Sequence, residues 1–197
     1  LLDHLADNRT DLAVMVRPPE DADALAEPFA PHPYLILSSR DHALAGERDI
    51  PLARLVREPF IVREHGSDTR HAMADALGRH HALVNVALEV RSTETIKQAV
   101  IAGMGVAFLS AHTVSRELAD GDLVALDVQG FPRLLNWYLV MRRNKRLPAV
   151  AQAFREFLLR EGASMLARVV PLPRAIARQT GTRRAGRSKA APRAART

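Results

Sequence analysis

Short apolar runs alternate with amphipathic stretches along this chain, and small or hydroxyl residues stand at the corners between them. Leu1 to Ala6, with Leu1, Leu2 and Leu5 apolar, reads as the end of an amphipathic helix, so the sequence is expected to open inside an element. Asp11 to Val16 is a run of strand type that stops at Arg17-Pro18-Pro19. Leu25 to Phe29 and Tyr34 to Ser38 read as two further strands, and Pro28, Pro31 and Pro33 restrict one of them to a short or edge position. Pro51 to Leu55 predicts a helical turn, because proline is tolerated at a first helical residue.

Pro59 to Val62 then reads as a strand delivering the Gly66-Ser67 corner, and Asp68 to Gly78 as a helix with Met73, Ala76 and Leu77 on one face. Val84 to Val90 alternates as a strand, while Ile96, Ala99, Val100 and Gly103 fall at helical spacing, with Gly103 as the stop. Val106 to Leu109 resumes as strand, and the order β, α, β, α, β is that of a parallel, doubly wound sheet. His112 to Leu118 predicts a helix, Leu123 to Val128 a strand, and Trp137 to Arg142 the last strand. Pro148 starts a final helix whose apolar face is Val150, Phe154, Phe157 and Leu158.

Composition narrows the class. With 197 residues, 47% of them hydrophobic and 25% charged, the chain can bury the core of one or two α/β lobes. The net charge of +6 is misleading, because residues 168–197 hold nine of the 28 Lys and Arg and none of the 22 Asp and Glu. The remainder carries 19 cations against 22 anions, a net of −3. After Pro171-Leu172-Pro173 the composition collapses mainly to Ala, Arg, Gly, Ser and Thr without an aromatic, and residues 171–197 are expected to be a basic disordered tail. The absence of cysteine excludes disulfides, a thiolate nucleophile and Cys-based zinc sites, and fits a reducing compartment. No apolar run reaches membrane-spanning length, since even Leu134 to Val140 is interrupted by Asn136.

The candidate chemistry lies at the corners. Backbone N–H groups left unpaired at a helix start, together with the helix dipole, favour a phosphate or carboxylate. At Gly66 to Arg70, Ser67 and Thr69 could donate hydroxyls, the amides form a cradle, and Arg70 act as a bidentate clamp. The plainer reading is a capped helix, with Ser67 as N-cap and Asp68 favouring the dipole. Ser92, Thr93 and Thr95 open the next helix on the same sheet edge, again as caps or ligand contacts. Lys97 lies one turn further on, and Gly103 and Gly105 read as helix stop and strand entry. The eight histidines form no metal pattern, and Ser110-Ala111-His112 lacks the glycines and orienting acid of a nucleophile site. Trp137 and Tyr138 read as packing or subunit-interface residues.

Taken together, these residues resemble the effector-binding domain of LysR-type bacterial transcriptional regulators from Leu1 to about Val170. The resemblance rests on Asp11-Leu12-Ala13-Val14, the corner Gly66-Ser67-Asp68-Thr69-Arg70, the block from Ile96 to Ser110 ending Gly-Met-Gly-Val-Ala-Phe-Leu-Ser, and a closing helix with Phe154 and Phe157. Arg17-Pro18-Pro19-Glu20-Asp21, the stretch Glu27 to Tyr34, Ser92 to Val100, and Lys145-Arg146-Leu147-Pro148 are similar to the subgroup controlling Calvin-cycle (RuBisCO) operons. The resemblance implies an α/β fold of two lobes with doubly wound sheets, like type 2 periplasmic binding proteins, with lobe one incomplete here. Lobe one would comprise residues 1–57, lobe two 58–142, and residues 143–170 a return segment and closing helix of lobe one. It further implies a small anionic effector, phosphorylated or carboxylated, in the cleft, and no other cofactor. The effector would meet Gly66, Ser67, Asp68, Thr69, Arg70, Ser92, Thr93, Thr95, Lys97 and Gly105. Many family members have Gly where Asp68 stands, so an acidic effector would need Arg70, Arg63 or Lys97 to offset that carboxylate. Homodimers or tetramers, operator DNA read by an N-terminal winged helix-turn-helix outside this chain, and a cytoplasmic location without catalytic activity are also implied. A solute-binding protein of the same fold, which would carry a signal peptide, and an enzyme using the same cleft are the alternatives.

Overall fold

The computed structural model describes residues 2–20 and 23–169. The expected basic tail, 171–197, lies outside the described residues. In chain order the elements begin with α1 (Leu2–Ala6), β1 (Ala13–Met15), β2 (Ala24–Ser39), α2 (Leu52–Leu55), β3 (Pro59–Arg63) and α3 (Asp68–Leu77). They continue with β4 (Asn85–Val90), α4 (Thr93–Ile101), β5 (Ala107–Ser110), α5 (Ser115–Asp120), β6 (Leu123–Ala125), β7 (Arg133–Arg142) and α6 (Ala149–Val169).

The expected α/β architecture is present, organised around β2. This strand pairs antiparallel with β7 over its first part and with β6 at its end, while β5 runs antiparallel along its other edge from Tyr34 to Leu37. β3 and β4 are parallel, and the bridge between Phe60 and Val106 joins β3 in parallel to the start of β5. The parallel order expected from the βαβαβ pattern therefore holds for β4, β3 and β5, and β2 adds an antiparallel member. Alternation assigns the two faces: Tyr34, Ile36, Phe60, Val62 and Phe108 enter one core with Met73 and Leu77 of α3. Leu35, Leu37, Ile61, Ala107 and Leu109 enter another with Ile96, Ala99 and Val100 of α4. Both faces of this part of the sheet are thus covered by helices, the condition a parallel arrangement requires.

Four expectations change. Leu25–Phe29 and Tyr34–Ser38 are one 16-residue strand, prolines included. Pro28, Pro31 and Pro33 stand opposite Tyr138, Asn136 and Leu134, all of one parity, because the register shift between Pro28 and Ala30 keeps them in phase. Among the described residues only β7 pairs with β2 there, which leaves an open edge where prolines, lacking an N–H, are tolerated. The segment 112–118 is not one helix: a 3₁₀ turn at Ala111–Thr113 precedes α5. A lobe boundary at residue 57 does not match the packing, since Leu44, Ile50 and Leu55 share a core with Phe60 and Val106. A separate small core of Leu5, Ala13, Met15 and Val140 sits at the far end of β2 and β7, where Ala24 and Ala26 pack against it.

The last correction concerns α6. Its inward residues are Ala151, Arg155, Leu158 and Gly162, while Val150, Phe154 and Phe157 are exposed. Phe29, at the bulge of β2, explains the inward choice: a Cβ on Gly162 would come within 2.7 Å of its ring. Arg155 adds a bidentate pair to Glu27, both bonds 2.6 Å. Between α6, Val14, Phe29 and Trp137 runs an apolar groove of about 460 Å³. Among the described residues, no helix is long and apolar enough to cross a membrane.

Candidate functional site

Two helix starts meet at the carboxyl edge of the parallel strands. β3 ends at Arg63, the chain turns through Glu64 to Gly66, and Ser67 caps α3 by accepting from the Arg70 N–H at 3.4 Å. The turn requires φ = +85° at Gly66, which glycine adopts without the Cβ penalty. Next to it, β4 ends at Val90, and Ser92 caps α4 by accepting from the Thr95 N–H at 3.2 Å. Capping uses a serine's acceptor capacity and leaves its O–H as a donor, so the capped-helix and ligand-contact readings are compatible.

Arg63 ties the corners together. Its Nη1 donates to Thr93 Oγ1 at 3.3 Å, and its Nε and Nη2 hold the two carboxylate oxygens of Glu64 at 2.8 and 3.0 Å. The Arg63 guanidinium holds the Glu64 carboxyl below the usual carboxylate range. Beneath them Tyr34 is buried, with 3% of its surface exposed, stacked on Phe108 and hydrogen-bonded to Thr69. Burial raises the Tyr34 phenol pKa; the Thr69 bond lowers it, Asp68 raises it, and Arg63 lowers it, and burial prevails.

Further along the same edge, His32 and His112 share a hydrogen bond between their Nδ1 atoms at 3.1 Å. The rings are parallel within 10° at a centroid distance of 5.3 Å, which exceeds the nitrogen separation by two ring radii, so they meet head-on. One Nδ1 carries a proton and the other accepts, which demands opposite tautomers. His32 also packs against Trp137, at 4.0 Å between ring centres. Burial, then the charge of His112, lowers the His32 pKa from 6.5 to about 3, and burial lowers that of His112.

The expected residues divide into two groups. Gly66, Ser67, Asp68 and Thr69 lie at the start of α3 and Ser92 and Thr93 at the start of α4, where Thr93 meets Arg63, and Thr95 is exposed on the first turn of α4. Arg70 does not face this group as a free clamp: its side chain is only 12% exposed, with Nη1 3.4 Å from the Arg63 carbonyl oxygen and 4.0 Å from Glu89. Lys97, also 12% exposed, lies between Glu94 and Glu117, each at 2.6 Å, and pins α4 to α5. Those bonds raise its pKa although burial, the largest single influence, opposes them. Gly105 serves packing: at φ = +150°, a Cβ there would fall 2.1 Å from the Pro59 carbonyl oxygen. Ser110 caps the turn into His112 by accepting from its N–H, which accounts for Ser110-Ala111-His112 without catalysis. Sequence reasoning missed Tyr34, His32 and His112 as part of this edge, and treated Arg63 only as a possible offset to Asp68. Position was the available signal for Arg63, the last residue of a strand before a Gly-Ser corner.

Comparison with known proteins decides the family. Residues 1–163 match the model of the LysR substrate binding domain. The chain belongs to that family. It is 44% identical over 169 residues to the RuBisCO operon transcriptional regulator of Allochromatium vinosum, covering 86% of this chain and 56% of that protein. It is 40% identical over 158 residues to the HTH-type transcriptional activator CmpR of Synechocystis, covering 80% and 52%. The chain spans about half the length of these relatives. Among solved structures, the CcmR regulatory domain of Synechocystis in complex with 2-PG superposes with a TM-score of 0.75 at 39% identity, covering 80% of this chain and 76% of that one. The LysR substrate-binding-domain fold, of the type 2 periplasmic-binding class, agrees with the architecture expected from the sequence.

Proposed function

We propose that this LysR-family chain is the effector-sensing portion of a cytoplasmic transcriptional regulator of carbon-fixation genes. DNA binding would belong to a winged helix-turn-helix outside this chain, and assembly into dimers or tetramers would carry the signal between copies. The effector is a small anion bearing phosphate, carboxylate or both, seated on the Ser67 and Ser92 corners against Arg63. The observation supporting this reading is the guanidinium of Arg63, at the strand end that leads into the Ser67-capped α3, donating to Thr93 at the start of the Ser92-capped α4, in a chain similar to a regulatory domain solved in complex with 2-PG. Helix starts, hydroxyl donors and an arginine fork all favour negative charge, and none requires a metal. An effector that binds one arrangement of the domain better than another shifts the balance between them by that difference in affinity.

Arg63→Ala should weaken binding of 2-phosphoglycolate about tenfold or more, since a charge-assisted hydrogen bond is worth roughly 1.5–3 kcal/mol. Arg63→Lys, which keeps the charge and loses the fork, should fall between. Calorimetric titration of the 197-residue chain measures both. Wild-type protein that binds neither 2-phosphoglycolate nor any other small phosphate or carboxylate would overturn the effector reading, and unchanged affinity in Arg63→Ala would overturn the site.

A further inference from the structure

The Glu64 side chain is a second feature of the Arg63 corner, and its position is unusual for a structural ion pair. Successive residues of a strand point to opposite faces, so neighbours do not ordinarily close a fork on one another. Arg63 and Glu64 do so because β3 ends at Arg63 and the chain turns at once. The contact is bidentate and side-on, through Nε to Oε2 at 2.8 Å and Nη2 to Oε1 at 3.0 Å. That edge of a guanidinium is also the one that best matches a phosphate or a ligand carboxylate. With Nη1 on Thr93, every nitrogen of Arg63 is already engaged.

We propose that Glu64 is a built-in competitor for the anion, its carboxylate filling the Arg63 fork that an anionic effector must take over. This assignment rests on the effector reading above.

Three observations favour exchange over a fixed structural pair. The two side chains are 21% and 28% exposed, so the pair lies at the surface of the corner and opens into water without uncovering a core. The Glu64 backbone is held independently, its carbonyl accepting from the Ser67 N–H at 3.2 Å, so a rotation of the side chain leaves the turn and the α3 cap intact. Arg91, exposed at the neighbouring corner, is close enough for its charge to act on Glu64, which gives the displaced carboxylate a second cation. Charge completes the argument. Arg63, Arg70 and Arg91 are balanced by Glu64, Asp68 and Glu89 at this edge, so a ligand dianion is favoured only when Glu64 gives up its hold on Arg63. The competitor lowers affinity for every anion and penalises weakly charged, single-point ligands most, because a ligand must replace a two-point contact with one at least as good.

Glu64→Gln tests this by removing the charge while keeping the shape. Calorimetry on the 197-residue chain, with 2-phosphoglycolate and separately with inorganic phosphate, should show affinity rising about three- to tenfold in Glu64→Gln. In the Arg63→Ala background the same substitution should give less than half of that gain on a logarithmic scale, because the fork it competes for is gone. A gain that persists in full without Arg63 would mean simple charge repulsion and would overturn the competitor assignment. So would unchanged or weaker binding by Glu64→Gln while wild-type protein binds. Absence of binding by wild type and Glu64→Gln alike would remove the effector reading and this one with it, whereas binding by Glu64→Gln alone would support both.

Discussion

Acid should destabilise this protein well above the carboxylate range, and His32 is the reason. It is 2% exposed, meets His112 head-on through Nδ1, and burial holds its pKa near 3 against an ordinary 6.5. Because the folded-state value is lowered, the unfolded chain binds the proton first, and stability falls as pH drops below 6.5 until it levels near pH 3. The linkage relation for this single group gives a loss of about 0.7 kcal/mol at pH 6 and about 2 kcal/mol at pH 5, relative to pH 7. His112, whose pKa is also lowered, adds to the loss in the same direction. Glu64, Glu94 and Glu117 are all held below the ordinary 4.5, so their stabilising contribution is intact down to that range and fades only in stronger acid. The window from pH 6.5 to 5 therefore lies above the range in which these three carboxylates lose their contribution. Urea unfolding followed by circular dichroism at half-unit pH intervals measures the slope, and the fluorescence of Trp137, the only tryptophan in the sequence, gives a second readout beside His32. His32→Gln should lose more than half of the decline between pH 7 and 5. Equal stability of the wild type at pH 7 and 5, or a full decline in His32→Gln, would refute the reasoning.

Two further substitutions test the scaffold that presents the site. Gly105→Ala should cost at least about 2 kcal/mol, because the added Cβ meets the Pro59 carbonyl in an unfavourable backbone conformation. Gly130→Ala, with positive φ but open space, should cost only about 1 kcal/mol, and equal unfolding midpoints for the two variants would contradict the packing argument. Arg155→Ala should cost about 1–2 kcal/mol by cutting the fork to Glu27, and should speed hydrogen exchange in α6. An unchanged exchange profile would show that Phe29 and Gly162 hold the helix without it.

Local chemistry made much of this protein legible in its sequence. Gly66-Ser67 and Ser92 are read as helix starts because a cap is formed within four residues of chain. The succession β3, α3, β4, α4, β5 follows from hydrophobic period alone, and with it the edge on which both corners open. Tertiary structure decided what faced that edge. Arg70 and Lys97 carry the right charge at the right sequence distance from a corner, yet Glu89 and Glu117, about twenty residues further on, draw them away. Tyr34 and His32 reach the site from β2, and the His32–His112 bond spans a sequence separation of 80, beyond anything periodicity records. The single strand through Pro28, Pro31 and Pro33 was likewise invisible, because whether a proline breaks a strand depends on which edge has a neighbour. Propensity and capping are properties of adjacent residues, whereas ion pairing, burial and edge pairing depend on partners that only the folded chain brings together.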